Sequence, residues 1–445
     1  MMKKFFFVAM MAIAFIACDQ KGSGSGVVDP SKPSESKELT PEQSKEKLAG
    51  IAQRFIAKFN TADQQAVVDL MEDIAEKYES YSWAGLDSVL VEAVTDNYAK
   101  LPRYMAEVAK GYRAPLNAPQ KVILSLDNWG IIIEADDNTK SWKFVGKTED
   151  GSSILRCVDK AGKKCEIKVW GEGENYIIED DFGQSTFESI KVVCPAIVHV
   201  LFTHDGKQIA RIKFNQSIKD NEYAKFGIEM EIANLLITTK EEIALNHANL
   251  AFTFAYSGEN MLSVAVNLPK YKIEGKTAEE TFGEWLNKNM QGFDNILSTV
   301  GEADLMVDIM GEAQLKANFE NIGKAYDDYQ TMARAEYGSD KESMEAFCKW
   351  INENQTNGLY YNSGVKQAEF RMQVVAHDYE YAPGETRTQY MPEAVLYFPQ
   401  DGSTYAVESY FDAKPFTNLL ESVEKLFTDY MRLFHIIGPD DEFHF

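Results

Sequence analysis

Histidine is scarce, with six residues in a chain of 445, and there are five cysteines. No two cysteines stand in a Cys-x-x-Cys pair, so neither a zinc ribbon nor a thioredoxin-type site is expected. Nucleophile motifs are also missing: there is no Gly-x-Ser-x-Gly, no Ser-x-x-Lys with supporting partners and no His-Glu-x-x-His. Gly275, Lys276 and Thr277 lack the earlier glycine that a phosphate-cradling loop needs, so no nucleotide or other cofactor is expected. The acidic stretches "ADDNTKSWKFVG" and "IIEDDFGQ" have no alternating carboxylates with a distal glutamate, and read as solvated turns instead of calcium loops. Positive charge is in deficit, 45 basic against 69 acidic residues for a net charge of −24. That argues against nucleic acid and anionic lipid surfaces as partners, since both need a basic footprint, and the scattered acids read as a surface that keeps an exported protein soluble.

Long apolar runs are equally rare. The one that stands out, Phe5 to Ala17 after Lys3 and Lys4, has the charged-then-apolar layout of a secretory signal and is too short to span a bilayer. Ala17 directly before Cys18 resembles the lipobox of bacterial lipoprotein precursors, with Phe15 and Ile16 departing from the commoner Leu-then-small pattern. The resemblance covers about the first twenty residues. It implies removal of residues 1–17, acylation of Cys18, and export to the bacterial envelope with a lipid anchor in a membrane, the outer membrane or cell surface before the inner membrane. Residues 18–40 then form the lipidated cysteine and a Gly, Ser, Pro and charge-rich tether. As a coil the tether spans roughly 25 Å.

The rest divides by texture. Residues 41–115 read as a helical segment: Thr40 caps, Pro41 opens and Glu42 and Gln43 fill the first turn. A second apolar-periodic run carries Val67, Leu70, Met71, Ile74 and Tyr78, and a third Leu90, Val94, Tyr98 and Leu101. Residues 116–275 are short β-rich runs separated by turns too close for crossover helices, which predicts an antiparallel region. Residues 276–355 read as helical, with a long pattern from about Ala303 to Ala335. "NENQTNGLYYNSG" reads as a loop, and residues 356–445 as β-hairpins with a closing helix from Pro415. The predicted fold class is α+β, a mainly antiparallel curved sheet of hairpins with flanking helices, in one or two domains.

Two hairpins allow finer statements. In "RCVDKAGKKCEI" a turn near Ala161 places Cys157 opposite Cys165, a feasible cross-strand disulfide in an oxidising envelope. In "AIVHVLFTHDGKQIARIKF", Val198, Val200, Phe202, Ala210, Ile212 and Phe214 share a face only if opposed residues sum to an even number. That selects a three-residue loop, His204-Asp205-Gly206, with Gly206 left-handed. His199 then faces away from the apolar side while His204 lies in the turn, so the pair does not converge. The "VLFTHDGKQIA" and "VLYFPQDGSTYAV" segments share turn chemistry, and convergence explains this better than duplication.

Aromatic residues beside amides are the remaining lead. Trp129, Trp142 and Trp170 in the β region, and Tyr360 and Tyr361 among Asn354, Asn357 and Asn362, are candidate ligand contacts, since sugar C–H faces stack on rings and hydroxyls need donors and acceptors. The reading is a membrane-anchored, non-enzymatic binding or scaffold module, for a glycan, an apolar ligand or an envelope protein. An envelope hydrolase with carboxylates distant in sequence is the alternative. Lipidation predicts that labelled fatty acid is incorporated into the wild-type chain and that Cys18→Ala abolishes it. Label retained by the variant would remove the anchor.

Overall fold

The structure, a computed structural model, describes residues 38–59, 61–82, 123–125, 130–180, 190–219, 223–244, 247–269, 300–333, 340–362, 364–382, 384–412, 416, 422, 425, 428 and 429. Trp129 and the run from Leu90 to Leu101 lie outside these residues, as does most of the segment following Pro415. The chain forms an α+β fold of mainly antiparallel sheet with a few helices, and separates into two compact units, Thr61–Leu245 and Met1–Asn60 with Asn246–Phe445.

In the unit Thr61–Leu245, one helix and nine strands are described. The helix will be called α2 (Ala62–Tyr78), following α1 (Pro41–Lys58) in the chain. The strands are β1 (Ile123–Ser125), β2 (Ile131–Asp136), β3 (Ser141–Lys147), β4 (Ser153–Val158), β5 (Lys164–Asp180), β6 (Ile190–His204), β7 (Lys207–Lys219), β8 (Tyr223–Ile232) and β9 (Leu235–Ala244). They pair in the order β3-β2-β4-β5-β6-β7-β8-β9, antiparallel except at β2–β4, while β1 runs parallel to the start of β6. Register shifts in β2–β3, β5–β6 and β6–β7 bend the sheet, as bulges do.

Side chains alternate across this sheet. One face is apolar, and α2 covers part of it: Val67 and Tyr78 with Leu70 and Ile74 pack on Trp142, Cys157, Cys165, Phe202 and Ala210. Each large side chain so buried contributes about 1.5–3 kcal/mol. Both ends of α2 are tied down. Gln64 and Asp63 hydrogen-bond Asn234 in the β8–β9 turn, and the Tyr78 hydroxyl donates to the Val158 carbonyl (2.8 Å) and accepts from its N–H (3.1 Å).

The β6–β7 hairpin has the expected face-sharing: Val198 opposes Phe214, Val200 opposes Ile212 and Phe202 opposes Ala210. The device differs from the three-residue loop. Asp205 and Gly206 alone make the turn, both at positive φ, with His204 opposite Lys207, and the register then shifts between Phe202 and Thr203. A two-residue turn would put the apolar set on two faces, and the extra residue in β7 at Ile209 restores the even sum.

The unit containing Asn246–Phe445 is a meander, each strand antiparallel to the next: β10 (Ala248–Tyr256), β11 (Glu259–Leu268), β12 (Ala303–Ile309), β13 (Ala313–Phe319), β14 (Gln355–Tyr361), β15 (Lys366–Ala382), β16 (Glu385–Phe398) and β17 (Ser403–Ala406). Helices α3 (Ile322–Ala333) and α4 (Lys341–Glu353) stand between β13 and β14, and α5 (Val407–Asp412) follows β17. The long helical pattern expected from Ala303 to Ala335 is therefore corrected. Its first half is the β12–β13 hairpin, closed by Met310 and Gly311 at positive φ, and only Ile322–Ala333 is helix. Short apolar runs fit both periods, and this turn decides between them. The two Asp-Gly hairpins also differ, since Phe398 pairs with Ser403 across four residues while His204 pairs with Lys207 across two.

α1 begins as expected. The Thr40 hydroxyl accepts from Gln43 N–H (3.2 Å) and the Gln43 side chain accepts from Thr40 N–H (3.0 Å), a capping box with Pro41 in the first turn. Its Ala49 and Ile51 pack with Leu359, Tyr361, Phe370, Leu396, Phe398, Tyr410 and Phe411 as the core of this unit.

The "NENQTNGLYYNSG" segment is not a loop: it ends α4 and supplies β14. β14 pairs with β15 only at Leu359↔Ala368 and Tyr360↔Lys366, and beyond Ala368 two asparagines take over the ladder. Asn357 donates to the Phe370 carbonyl (2.8 Å) and accepts from its N–H (2.6 Å), and Asn352 does the same for Met372 (2.8 and 2.7 Å). Each amide imitates one residue of a neighbouring strand. Asn357→Ala strips a buried donor and acceptor of their partner and is expected to cost about 3 kcal/mol, read as a lower urea midpoint. Wild-type stability in that variant would show that the amide is dispensable.

Candidate functional site

The sequence-derived candidates do not converge. Trp142 is 5% exposed and packs against Tyr78 and Tyr81 (ring centroids 5.3 and 6.3 Å apart), and Tyr361 is fully buried. Their place as ligand contacts is corrected on that ground, because neither ring offers a face to solvent. The Tyr361 hydroxyl lies 2.9 Å from both Ser44 Oγ and the Ser44 carbonyl, and burial drives its pKa upward. Tyr360 is half-buried on β14, with Lys316 Nζ 5.4 Å from its ring centroid. Trp170 is the candidate that stands on an open sheet face.

That face belongs to Thr61–Leu245, opposite α2. A row crosses five strands, from Trp170 on β5 through His199, Lys213 and Glu229 to Thr238 on β9. Its flanking rows run Lys168, Leu201, Arg211, Glu231 and Leu236 on one side and Glu172, Ile197, Asn215, Gly227 and Lys240 on the other. Opposed positions are charge-complementary: Arg156 meets Glu166 at 2.9 Å, Arg211 meets Glu231 at 3.3 Å and Lys213 meets Glu229 at 3.5 Å. Lys168 sits 5.6 Å from the Trp170 centroid and 2.7 Å from Asp150, whose pKa it lowers together with the Ser152 hydroxyl and N–H. Such pairs, each modest when exposed, keep the face wetted.

Trp170 and His199 stack, with centroids 4.6 Å apart and planes 5° from parallel. The indole N–H donates to Glu172 (3.3 Å), and the other Glu172 oxygen lies 3.4 Å from His199 Nε2, which is buried and meets no hydrogen-bond partner. The shelf therefore joins an aromatic platform and an exposed carboxylate. His199 faces away from the apolar side, as its parity requires.

His204 ends β6 on the opposite face, where its Nε2 lies 2.9 Å from Asp159 Oδ2. Burial raises the Asp159 pKa, but the His204 hydrogen bond and the Lys163 N–H (2.8 Å) outweigh it and hold the carboxyl below its usual range. Next to it, Cys157 opposes Cys165 and Cys165 opposes His204. Both cysteines are buried thiols. Sequence reading had no signal for Asp159, which reaches His204 across 45 residues.

A further cavity of about 450 Å³ lies between α4 and β15, lined by Glu345, Cys348, Lys349, Asn352, Glu353, Met372 and Val374. Asn352 is spent on Met372, and Glu353 lies 3.8 Å from Lys349. Among the described residues no group of three or more His, Cys, Asp or Glu side chains could hold a metal ion. No protein-family model, curated protein or solved structure matches the chain.

Burial, then the neighbouring Cys165, pushes the Cys157 thiol up to about 12. At pH 8 that leaves on the order of one molecule in 10⁴ as thiolate. Alkylation of Cys157 is therefore expected to be slow in the native protein and fast in urea, with one label added at each of Cys157 and Cys165. Mass spectrometry showing no label at either position in urea would indicate a bridge in place of the thiols.

Proposed function

We propose that the protein is an envelope lipoprotein, anchored through Cys18, whose body is a non-enzymatic binding module with the Trp170 shelf as a glycan contact. The observation that carries this reading is the exposed Glu172 carboxylate beside the half-buried Trp170 indole, which stacks on His199. A sugar can lay a C–H face against the exposed part of the indole and bring a hydroxyl to the Glu172 carboxylate. The shallow, charge-laced surroundings suit a polymer lying across strands. A dry apolar tunnel, which a lipid carrier needs, is a different kind of site.

The hydrolase alternative asks for a carboxyl held protonated near neutral pH. Among the described residues, every carboxyl with a resolved shift moves the other way. Asp136 is drawn to about 2, chiefly by Lys143, and Asp137, Asp340, Glu369 and Asp401 are lowered as well. Carboxylates kept ionised serve as hydrogen-bond acceptors, which favours binding.

The test is a polysaccharide array probed with the Cys18→Ala chain. Retention on at least one glycan is expected, with Trp170→Ala weakening it about tenfold or more, on the order of 1.4 kcal/mol. Silence across the array removes the glycan reading, and release of soluble sugar would favour the hydrolase.

A further inference from the structure

The β15–β16 hairpin outgrows its sheet. β14 pairs with β15 no further than Ala368 and β17 pairs with β16 only at Val395–Phe398, yet β15 and β16 stay in register from Glu369↔Tyr397 to Glu380↔Thr386. From Ala376 to Glu380 every residue is exposed, on both faces of the ribbon, including Tyr379 at 40%, and Met391, across from Val375, is exposed at 38%. A two-stranded ribbon of this kind is marginal in water without a further strand.

Its two edges are not alike. Phe370 and Met372 turn their N–H and C=O groups away from β16, to Asn357 and Asn352. By alternation the same holds for Val374, Ala376, Asp378 and Glu380. Pro392, opposite Val374, fits this assignment because it has no N–H to give to β15. Pro392 also blunts the outer edge of β16. The β15 edge, Val-Val-Ala-His-Asp-Tyr-Glu over 374–380, contains neither proline nor lysine, the residues most used to guard an edge, and its charges are Asp378 and Glu380.

We infer that the β15 edge is a self-association surface, on which a second copy of this chain adds its own β15 antiparallel about a two-fold axis through His377. The register follows from two exclusions. Pairing Asp378 with Asp378 of the partner subunit sets like charges face to face. Shifting the other way, so that Ala376 meets its own counterpart, places a strand against Met372, whose backbone groups Asn352 already occupies. Centring on His377 avoids the first and confines the second to the partner subunit's Ala382, the last residue of the added strand. Ala376 then exchanges hydrogen bonds with the partner subunit's Asp378, and Val374 with the partner subunit's Glu380, so no two acids oppose. Val375 comes against the partner subunit's Tyr379 at a close, non-hydrogen-bonded position, an aromatic with β-branched pair that sheets favour. The hairpin turn after Ala382 ends the added strand where Asn352 begins. A contact of one strand edge is small, so the dimer is reversible.

The Cys18→Ala chain would be sedimented from about 1 to about 100 µM, the range in which a weak interface titrates. A shift from monomer toward dimer is expected, and Ala376→Pro should abolish it with an unchanged circular dichroism spectrum, since the Ala376 N–H is not used within the hairpin. His377→Cys should form a disulfide-linked dimer under oxidising conditions, whereas Gln389→Cys, on the far strand of the ribbon, should not. A chain that stays monomeric throughout, a dimer indifferent to Ala376→Pro, or equal cross-linking by the two cysteine variants would overturn the inference. The cross-linking comparison decides the matter if the proline variant misfolds.

Discussion

A strand allows its side chains two destinations, and a one-residue slip exchanges them all. Every other feature of both units is arranged around that constraint. In Thr61–Leu245 the even-numbered residues of β6 and their partners on β7 build the face that α2 covers in part, while the odd-numbered ones build the Trp170 face. A two-residue Asp205-Gly206 turn alone would break this division, and the extra residue at Ile209 repairs it. The same rule fixes chemistry as well as packing. It places His199 beside Trp170 and sends His204, five residues later, to Asp159 on the other side.

Where strands part, the backbone must still be satisfied. Beyond Ala368 the β14–β15 ladder opens, and Asn357 and Asn352 supply the donor and acceptor that a neighbouring strand would have given. This explains an asparagine-rich stretch without a ligand. The start of α1 is held by comparably distant contacts: Leu39 N–H donates to Gln367 (2.7 Å), Ser44 meets Tyr361, and the Tyr410 hydroxyl donates to the Pro41 carbonyl (3.1 Å). The helix α1 is thereby fastened to the last strands of its unit, 317 residues away at Ser44–Tyr361.

Local chemistry was legible in the sequence and distant chemistry was not. The Thr40 cap depends on residues within one turn, and it stands as read. The Cys157↔Cys165 opposition and the even sum in β6–β7 follow from spacing alone, and both are present. A three-residue loop and a two-residue turn with a bulge give the same sum, so parity could not separate them. The β12–β13 hairpin was hidden because its alternation is interrupted after seven residues, within the range where helix and strand periods overlap. Tyr360 and Tyr361 look equivalent in sequence, yet adjacent strand positions face opposite ways, and only Tyr361 meets the core. That core is built by α1, far along the chain, so no local signal could assign the burial.

The same reasoning locates where interaction chemistry is left over. Positions whose partners are fixed by register, such as Arg211 with Glu231 and Lys213 with Glu229, have spent their charge on one another. The Asn357 and Asn352 amides have likewise spent theirs on β15. Glu172 keeps an exposed carboxylate beside the Trp170 ring, and the β15 edge past Met372 has backbone groups turned outward with no proline or lysine on it. An exposed carboxylate beside a ring suits a ligand rich in hydroxyls, and an unpaired edge invites a strand. They call for different chemistry, a small hydroxyl in one case and an extended backbone in the other. The proposed glycan recognition and self-association are thus separable, since the first is placed on Thr61–Leu245 and the second on Asn246–Phe445.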